Sequence, residues 1–193
     1  MIKKTILILF AISSALLALD IGLYLYDFIS YRGYYSDVVV FWSWFILSIL
    51  VILFYWKKLI AKLYLTALII ALILSILPMM LPFWTLVFSM SSFGLKTNKK
   101  LNDNYRAQIV GYSVMSKPWL EIIESKGIFE KRIGKYMDFD FEEDGDFRIR
   151  DTKEIYLKKE TDSTLTIALF RGGNNRIITI DKASGKVLKN DHQ

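Results

Sequence analysis

The chain has 193 residues and a formal net charge of +6, but its apolar and charged residues are concentrated in different halves. The absence of cysteine excludes disulfides, zinc–thiolate sites, lipoprotein acylation and cysteine nucleophiles. From Lys96 onward, 19 Lys or Arg stand against 16 Asp or Glu, a net +3. Such balanced, interleaved charges do not form a basic stripe, so no nucleic-acid partner is expected.

Residues 1–95 have the composition of a transmembrane helical domain. Its first apolar stretch, about residues 5–29, follows Lys3 and Lys4 and is long enough to cross a bilayer at about 1.5 Å per residue. A charged start before an apolar run also occurs in signal peptides. If this segment were one, Ala18 would be the residue before the cleavage site. Because the apolar run continues beyond that alanine, we expect an uncleaved span.

The second predicted span, residues 38–56, is bracketed by aromatic residues, which favour the two membrane interfaces. Lys57, Lys58 and Lys62 follow it and form the basic cluster of a short loop. Basic residues in short loops favour the cytoplasmic side, so this loop and Met1 are expected in the cytoplasm.

The apolar stretch 63–95 is too long for one straight span, because a helix of that length would measure about 50 Å against a hydrocarbon core of about 30 Å. Pro78 and Pro82 favour a kink or a tight turn. Either a kinked third span leaves the following domain outside, or spans 63–77 and 83–95 form a short hairpin that returns it to the cytoplasm. The distribution of basic residues favours the four-span arrangement, and a bacterial inner membrane is the expected location.

Asp20 lies within the first span, where an unpaired carboxylate is costly and is a functional candidate by default. Tyr24 and Asp27 follow at helical spacing, so the three side chains are expected on one face. One hypothesis is a proton or ion path. The alternative is a carboxylate wetted near the outer end of the span, or bonded to a hydroxyl of a neighbouring span: Ser43, Ser48, Thr66 or Ser75.

Residues 96–104 are interpreted as a linker, and residues 105–193 as a soluble β-rich domain. Short alternating segments separated by turn residues every 8 to 12 positions predict a mostly antiparallel meander, folded as a barrel, a sandwich or a curled sheet. Residues 121–130 also fit a short helix, but their β-branched residues favour strand. The predicted strands are 105–115, 119–124, 128–132, 136–141, 147–150, 154–158, 164–170, 176–181 and 186–188.

An acidic pattern inside this domain resembles the spacing of an EF-hand calcium loop, with Gly145 at its sixth position. The last acidic position holds Asp instead of the longer Glu, and the flanks alternate like strands. The alternative is a β-hairpin with an acidic tip, turned at the glycine. The candidate metal ligands are Asp140, Glu142, Asp144 and Asp151.

No catalytic arrangement is evident in the sequence. The only histidine, His192, lies in a polar tail, and Arg171-Gly-Gly-Asn-Asn lacks the Lys-Ser/Thr of a phosphate-binding loop. We therefore expect no cofactor and no catalytic activity. The main hypothesis is a β-rich binding, sensor or assembly module anchored in the lipid bilayer, with a protein partner. The alternatives are a small transporter or channel component using Asp20, and a membrane-anchored enzyme with an acidic site at residues 140–151.

Overall fold

The computed structural model describes residues 2–76, 93–111, 117–141, 147–173 and 175–192. The chain divides into two compact units, Met1–Phe93 and Gly94–Gln193. Pro78, Pro82 and most of the predicted span 83–95 lie outside the described residues.

The described part of the first unit contains α1 (Ile2–Asp27), a short strand β1 (Ile29–Tyr31), α2 (Tyr34–Phe54) and α3 (Leu59–Ile76). Two of the described helices, α1 and α2, are long and apolar enough to cross a membrane, whereas α3 contributes a shorter apolar stretch. The expected long apolar helices are therefore present. The predicted count of three or four spans is not confirmed by them.

Hydroxyl groups and aromatic rings join the three helices. The Tyr55 hydroxyl, just after α2, donates to the Lys3 carbonyl at 3.0 Å, so α1 and α2 run antiparallel. The Ser48 and Tyr64 hydroxyls lie 2.9 Å apart and link α2 to α3. The Tyr64 ring also meets the edge of Phe10 on α1, with 5.7 Å between ring centroids. Hydrogen bonds of this kind are a common way to hold apolar helices together in lipid.

In its described residues, the second unit contains eight strands in two antiparallel sheets. Within this unit the first sheet has the order β5-β4-β3-β2, and the second has the order β6-β7-β8-β9. This architecture confirms the predicted antiparallel β domain. The strands are β2 (Leu95–Lys100), β3 (Tyr105–Val110), β4 (Trp119–Lys126), β5 (Phe129–Tyr136), β6 (Glu154–Glu160), β7 (Thr164–Phe170), β8 (Arg176–Asp181) and β9 (Val187–His192).

The segment 96–104, interpreted from the sequence as a linker, instead contains most of β2. Its residues pair with β3, from Leu95 opposite Val110 to Lys100 opposite Arg106. Polar and basic residues are compatible with an edge strand, because one edge and at least one face of such a strand remain in contact with water. Composition alone therefore did not distinguish this strand from a linker.

The region between β4 and β6 also differs from the prediction. The predicted strand 128–132 begins one residue later, at Phe129, and belongs to the longer strand β5. The helical alternative for 121–130 is wrong, because β4 and β5 form a hairpin turned at Gly127 with φ +64°. Two 3-10 helices, Asp138–Phe141 and Ile149–Asp151, replace the predicted strands 136–141 and 147–150. Aspartate side chains that bond to nearby backbone amides favour such local turns over a strand ladder.

Both sheets share one apolar core. The inward side chains of β3, β4, β6, β7 and β8 are almost fully buried in one cluster, together with Tyr136 of β5 and residues in and beside the two 3-10 helices. The regular in-and-out alternation of β7 and β8 is the pattern that buries one face of a sheet. Prominent members are Ile109, Leu120, Ile122, Phe141, Phe147, Ile149, Ile155, Leu165, Ile167, Leu169, Ile178 and Ile180.

A tyrosine joins the end of the first sheet to the β8–β9 turn of the second. The Tyr136 hydroxyl donates to the Gly185 carbonyl at 2.8 Å. Burial raises the pKa of Tyr136, and the charge of Asp140 adds to the rise, so the hydroxyl stays protonated and remains a donor. Gly185 has φ +67°, and a Cβ there would overlap the Ile133 carbonyl oxygen. The turn can approach β5 only because this residue has no side chain.

We predict that Gly185→Ala lowers the free energy of unfolding of the β unit by about 2–4 kcal/mol, through left-handed strain and overlap with backbone. Gly173→Ala is the matched control, because a Cβ there meets nothing within 4 Å, and its effect should stay within about 0.5 kcal/mol. Pulse proteolysis of the full chain in detergent measures both changes. Equal stability of the two variants would contradict the prediction.

Candidate functional site

The described members of the predicted calcium set have local partners. Asp140 accepts the Met137 amide at 2.6 Å, and Asp151 lies 3.2 Å from the Arg171 guanidinium. Glu142 and Asp144 lie outside the described residues. In the part of the chain that the structure describes, no three Asp, Glu, His or Cys side chains are grouped as metal ligands. The neighbouring elements are 3-10 helices and not the long helices of an EF-hand. Calcium binding by all four carboxylates stays a prediction.

Asp20 is buried in the helical unit. It is 1 % exposed and lies on the face of α1 that also buries Ser13 and Leu17. Its carboxyl accepts a hydrogen bond from the Tyr31 backbone amide. That amide also donates to Asp37 at the start of α2, at 3.1 Å. The turn between α1 and α2 thus brings two carboxylates to one backbone N–H, and the Asp20 Oδ1 atom is buried without a hydrogen-bond partner.

Two of the hydroxyls suggested as partners of Asp20 bond elsewhere. Ser48 donates to the Trp44 carbonyl at 2.8 Å, and Thr66 donates to the Lys62 carbonyl at 2.9 Å. Asp37 was not singled out from the sequence. An available signal was its place in the first turn of a helix, where a carboxylate is favoured by the helix dipole. Its meeting with Asp20 depends on the chain reversal between the helices.

A charged network covers part of the first sheet. Glu121, only 3 % exposed, accepts from the Trp119 indole and the Arg132 guanidinium, both at 2.9 Å, and from the Gln108 amide at 2.7 Å. Gln108 and Glu121 are directly opposite each other in the β3–β4 register. Three donors on one buried carboxylate satisfy its hydrogen-bonding capacity largely within the sheet, which gives Glu121 a structural role.

Glu130 forms the second centre of this network. It accepts from two nitrogens of Arg106, at 2.9 and 2.7 Å, and from the Ser125 hydroxyl at 3.1 Å. Lys135 lies 4.0 Å from the centre of the Trp119 ring, and partial burial, aided by the nearby Arg132 charge, lowers its pKa. The sequence analysis missed this network, although its polar residues alternate with core residues along the strands.

An open groove lies between the 3-10 helix Asp138–Phe141 and strand β9. Its volume is about 260 Å³, below the roughly 300–1,000 Å³ of small-molecule pockets. Two apolar side chains stand exposed along it, Phe139 at 63 % and Leu188 at 60 %. The groove is lined by Phe139, Asp140, Phe141, Val187, Leu188, Lys189 and Asn190.

The floor of the groove contains an incompletely bonded amide. The Asn190 Nδ2 atom donates to the Phe141 carbonyl at 3.4 Å, while its Oδ1 atom is buried without a partner. Native proteins satisfy most buried acceptors, so such an atom calls for an explanation.

Comparison with protein-family models, with curated proteins and with solved structures found no match. The function of this chain is therefore inferred from the geometry of the Asp20 region, the charged network of the first sheet and the groove.

Proposed function

We propose that the chain is an integral membrane protein whose helical unit anchors a β-rich domain that binds a protein partner and has no catalytic activity. The membrane part of this proposal is supported by α1 and α2, in whose most apolar windows only 17 % and 11 % of the residues are buried. Core helices of soluble proteins bury an apolar face, whereas exposed Leu, Ile and Phe all around a helix suit contact with lipid.

The observation that carries the binding function is the groove between the first 3-10 helix and β9. The two carboxylates of the first sheet, Glu121 and Glu130, each accept three hydrogen bonds and are only 3 % exposed, so they are not open to a ligand. The groove, in contrast, exposes Phe139 and Leu188 to solvent beside charged residues. Exposed apolar surface with a polar rim is a frequent mark of a protein-binding site.

A bacterial inner membrane and a four-span arrangement complete the proposal. Under this arrangement the basic loop after α2 and the β-rich domain both lie in the cytoplasm.

We predict that a green fluorescent protein fused after Gln193 is fluorescent in bacteria and that alkaline phosphatase at the same position is inactive, because the four-span arrangement puts this end in the cytoplasm. The same reporters after Lys58 are the control, since both arrangements put that loop in the cytoplasm. Active phosphatase at residue 193, with inactive phosphatase at residue 58, would favour three spans instead.

To test the groove, a photoreactive amino acid is placed at Leu188 and, as a control, at Tyr156, which is 44 % exposed on the opposite edge strand of the same sheet. We predict a covalent adduct of discrete mass from position 188 and none from position 156 after irradiation of intact cells. Phe139→Ser should reduce the yield at least several-fold, because it removes an apolar wall. Adducts of equal yield at both positions, or none at either, would remove the support for a binding groove.

A second candidate function is a small transporter or channel component, and the unpartnered Oδ1 atom of Asp20 favours it. A buried carboxylate oxygen without a donor is suited to a proton or a cation, and the second carboxylate at Tyr31 increases the local negative charge. Asp20 lies seven residues before the end of α1, which at about 1.5 Å per residue is about 10 Å from that end.

If this second function holds, liposomes containing the full chain should show proton, sodium or potassium flux above that of empty liposomes. Asp20→Asn should lower this flux at least tenfold, because the amide keeps the shape of the carboxyl but not its charge. Asp162→Asn, at an exposed loop position between β6 and β7, is the control and should leave the flux unchanged. Flux equal to that of empty liposomes, or equal loss in both variants, would refute the transporter hypothesis.

A further inference from the structure

We infer that Asp20 and Asp37 form a binding site for one proton, which the buried Asp20 carboxyl holds while Asp37 keeps its negative charge. This inference rests on the second candidate function, because it names a proton, and not a metal cation, as the ligand of the same site. The juxtaposition that carries it is two carboxyl groups at one backbone N–H, one of them buried with an oxygen that accepts no hydrogen bond.

The first argument is the contrast between the two carboxyl groups. Asp20 is 1 % exposed, whereas Asp37 is partly exposed. Asp37 also lies in the first turn of α2, where the helix dipole stabilises a negative charge. Burial removes the hydration that an anion needs, so it favours the neutral form of the group. Two carboxyl groups in such different surroundings divide the roles of acid and anion between them.

The second argument is the shortage of hydrogen-bond donors at Asp20. The Tyr31 amide has one hydrogen, and it also donates to the Asp37 Oδ1 atom at 3.1 Å. The Tyr31 hydroxyl bonds elsewhere, because it donates to the Leu16 carbonyl at 3.1 Å. The Asp20 Oδ1 atom therefore receives no hydrogen bond from the described residues. A protonated carboxyl group tolerates this better than an anion, since it carries no charge and supplies an O–H donor of its own.

The third argument comes from the other buried carboxyl groups of the chain. Besides Asp20, the described residues bury Glu121 and Glu130 almost completely. Each of these two accepts three hydrogen bonds, which include the guanidinium of Arg132 or of Arg106. A guanidinium supplies the opposite charge that a buried anion requires. Asp20 instead shares one backbone amide, so its site accommodates the neutral acid.

The fourth argument is the charge of the surroundings. In the part of the chain that the structure describes, no Lys or Arg forms an ion pair with Asp20. The ionisable groups of α3, Lys62 and Tyr64, lie at the other end of the unit, because Tyr64 meets Phe10, about 15 Å before Asp20 along α1. At the Asp20 end the titratable and charged side chains are Tyr24, Tyr26, Asp27, Tyr31, Arg32, Tyr34, Tyr35 and Asp37.

A proton suits this site better than a metal cation does. Hard cations such as Ca²⁺ and Mg²⁺ are bound by six or more oxygen ligands, several of them from carboxylates or water. Within the described ranges no three acidic or histidine side chains are grouped as metal ligands, and only two carboxyl groups meet here. A proton needs one oxygen atom. The unpartnered Asp20 Oδ1 atom provides it.

The test is infrared spectroscopy of the full chain in liposomes at neutral pH. The carbonyl band of a protonated carboxyl group is separate from the bands of carboxylates, and it shifts when deuterium replaces the proton. Isotope-labelled aspartate moves the band if an aspartic acid gives rise to it, so the wild-type chain by itself can overturn the inference. Asp20→Asn and Asp37→Asn then identify the residue, with the exposed loop residue Asp162 changed to Asn as the control.

We expect a protonated-aspartate band that Asp20→Asn reduces at least tenfold and that Asp37→Asn and Asp162→Asn leave in place at neutral pH. At mildly alkaline pH, Asp37→Asn should reduce the band at least threefold relative to wild type, because loss of the neighbouring negative charge eases ionisation of Asp20. Absence of the band from the wild-type chain, or its loss in Asp37→Asn alone at neutral pH, would overturn the inference. Loss of the band when sodium or potassium replaces choline would identify a metal cation as the ligand and overturn it equally.

The flux assay separates this inference from the second candidate function. If the band behaves as expected while flux equals that of empty liposomes, the proton site stands and the transport function fails. If the wild-type chain lacks the band while Asp20→Asn still abolishes sodium or potassium flux, transport stands and the proton site fails. Absence of both the band and the flux removes both proposals.

Discussion

The β-rich unit depends on one apolar layer that is shared by its two sheets. Alternate side chains of β3, β4, β6, β7 and β8 enter this layer, and Phe141 and Phe147 extend it to the 3-10 helices. Because Phe141 is anchored in the core, the 3-10 helix that forms one wall of the groove is held next to β9. The Tyr136 hydroxyl reinforces the same region through the Gly185 carbonyl. The binding surface is thus a consequence of how the core closes at this end of the sheets.

The buried polar groups differ in how completely they are hydrogen-bonded. Glu121 and Glu130 each receive three hydrogen bonds from neighbouring side chains, which gives them a structural role. Asp20 and Asn190 each keep one buried oxygen without a partner. Unsatisfied buried atoms cost stability, so they are places where a ligand, an ion or a proton has the most to contribute. Both lie in regions that we connect with function.

The success and failure of the sequence analysis follow from the range of the interactions involved. Long apolar helices and the strands 164–170 and 176–181 have strong local periodicity, and they were predicted correctly. The predicted strands 136–141 and 147–150 were wrong, because an alternation of Phe with Asp or Arg also fits a 3-10 turn in which Asp side chains bond to backbone amides. The linker prediction failed because an edge strand needs few apolar residues of its own.

The sequence by itself determined that the amino-terminal part is rich enough in apolar residues for membrane-spanning helices, and that alternating segments with turn residues follow. These are properties of neighbouring residues, and they can be read without knowing the fold. Only the tertiary structure decided which distant groups meet: Asp20 with Asp37 at one amide, Glu121 with Arg132 across two strands, and Phe139 with Leu188 along one groove. Such meetings depend on strand register, chain reversal and core packing, which local sequence patterns do not specify.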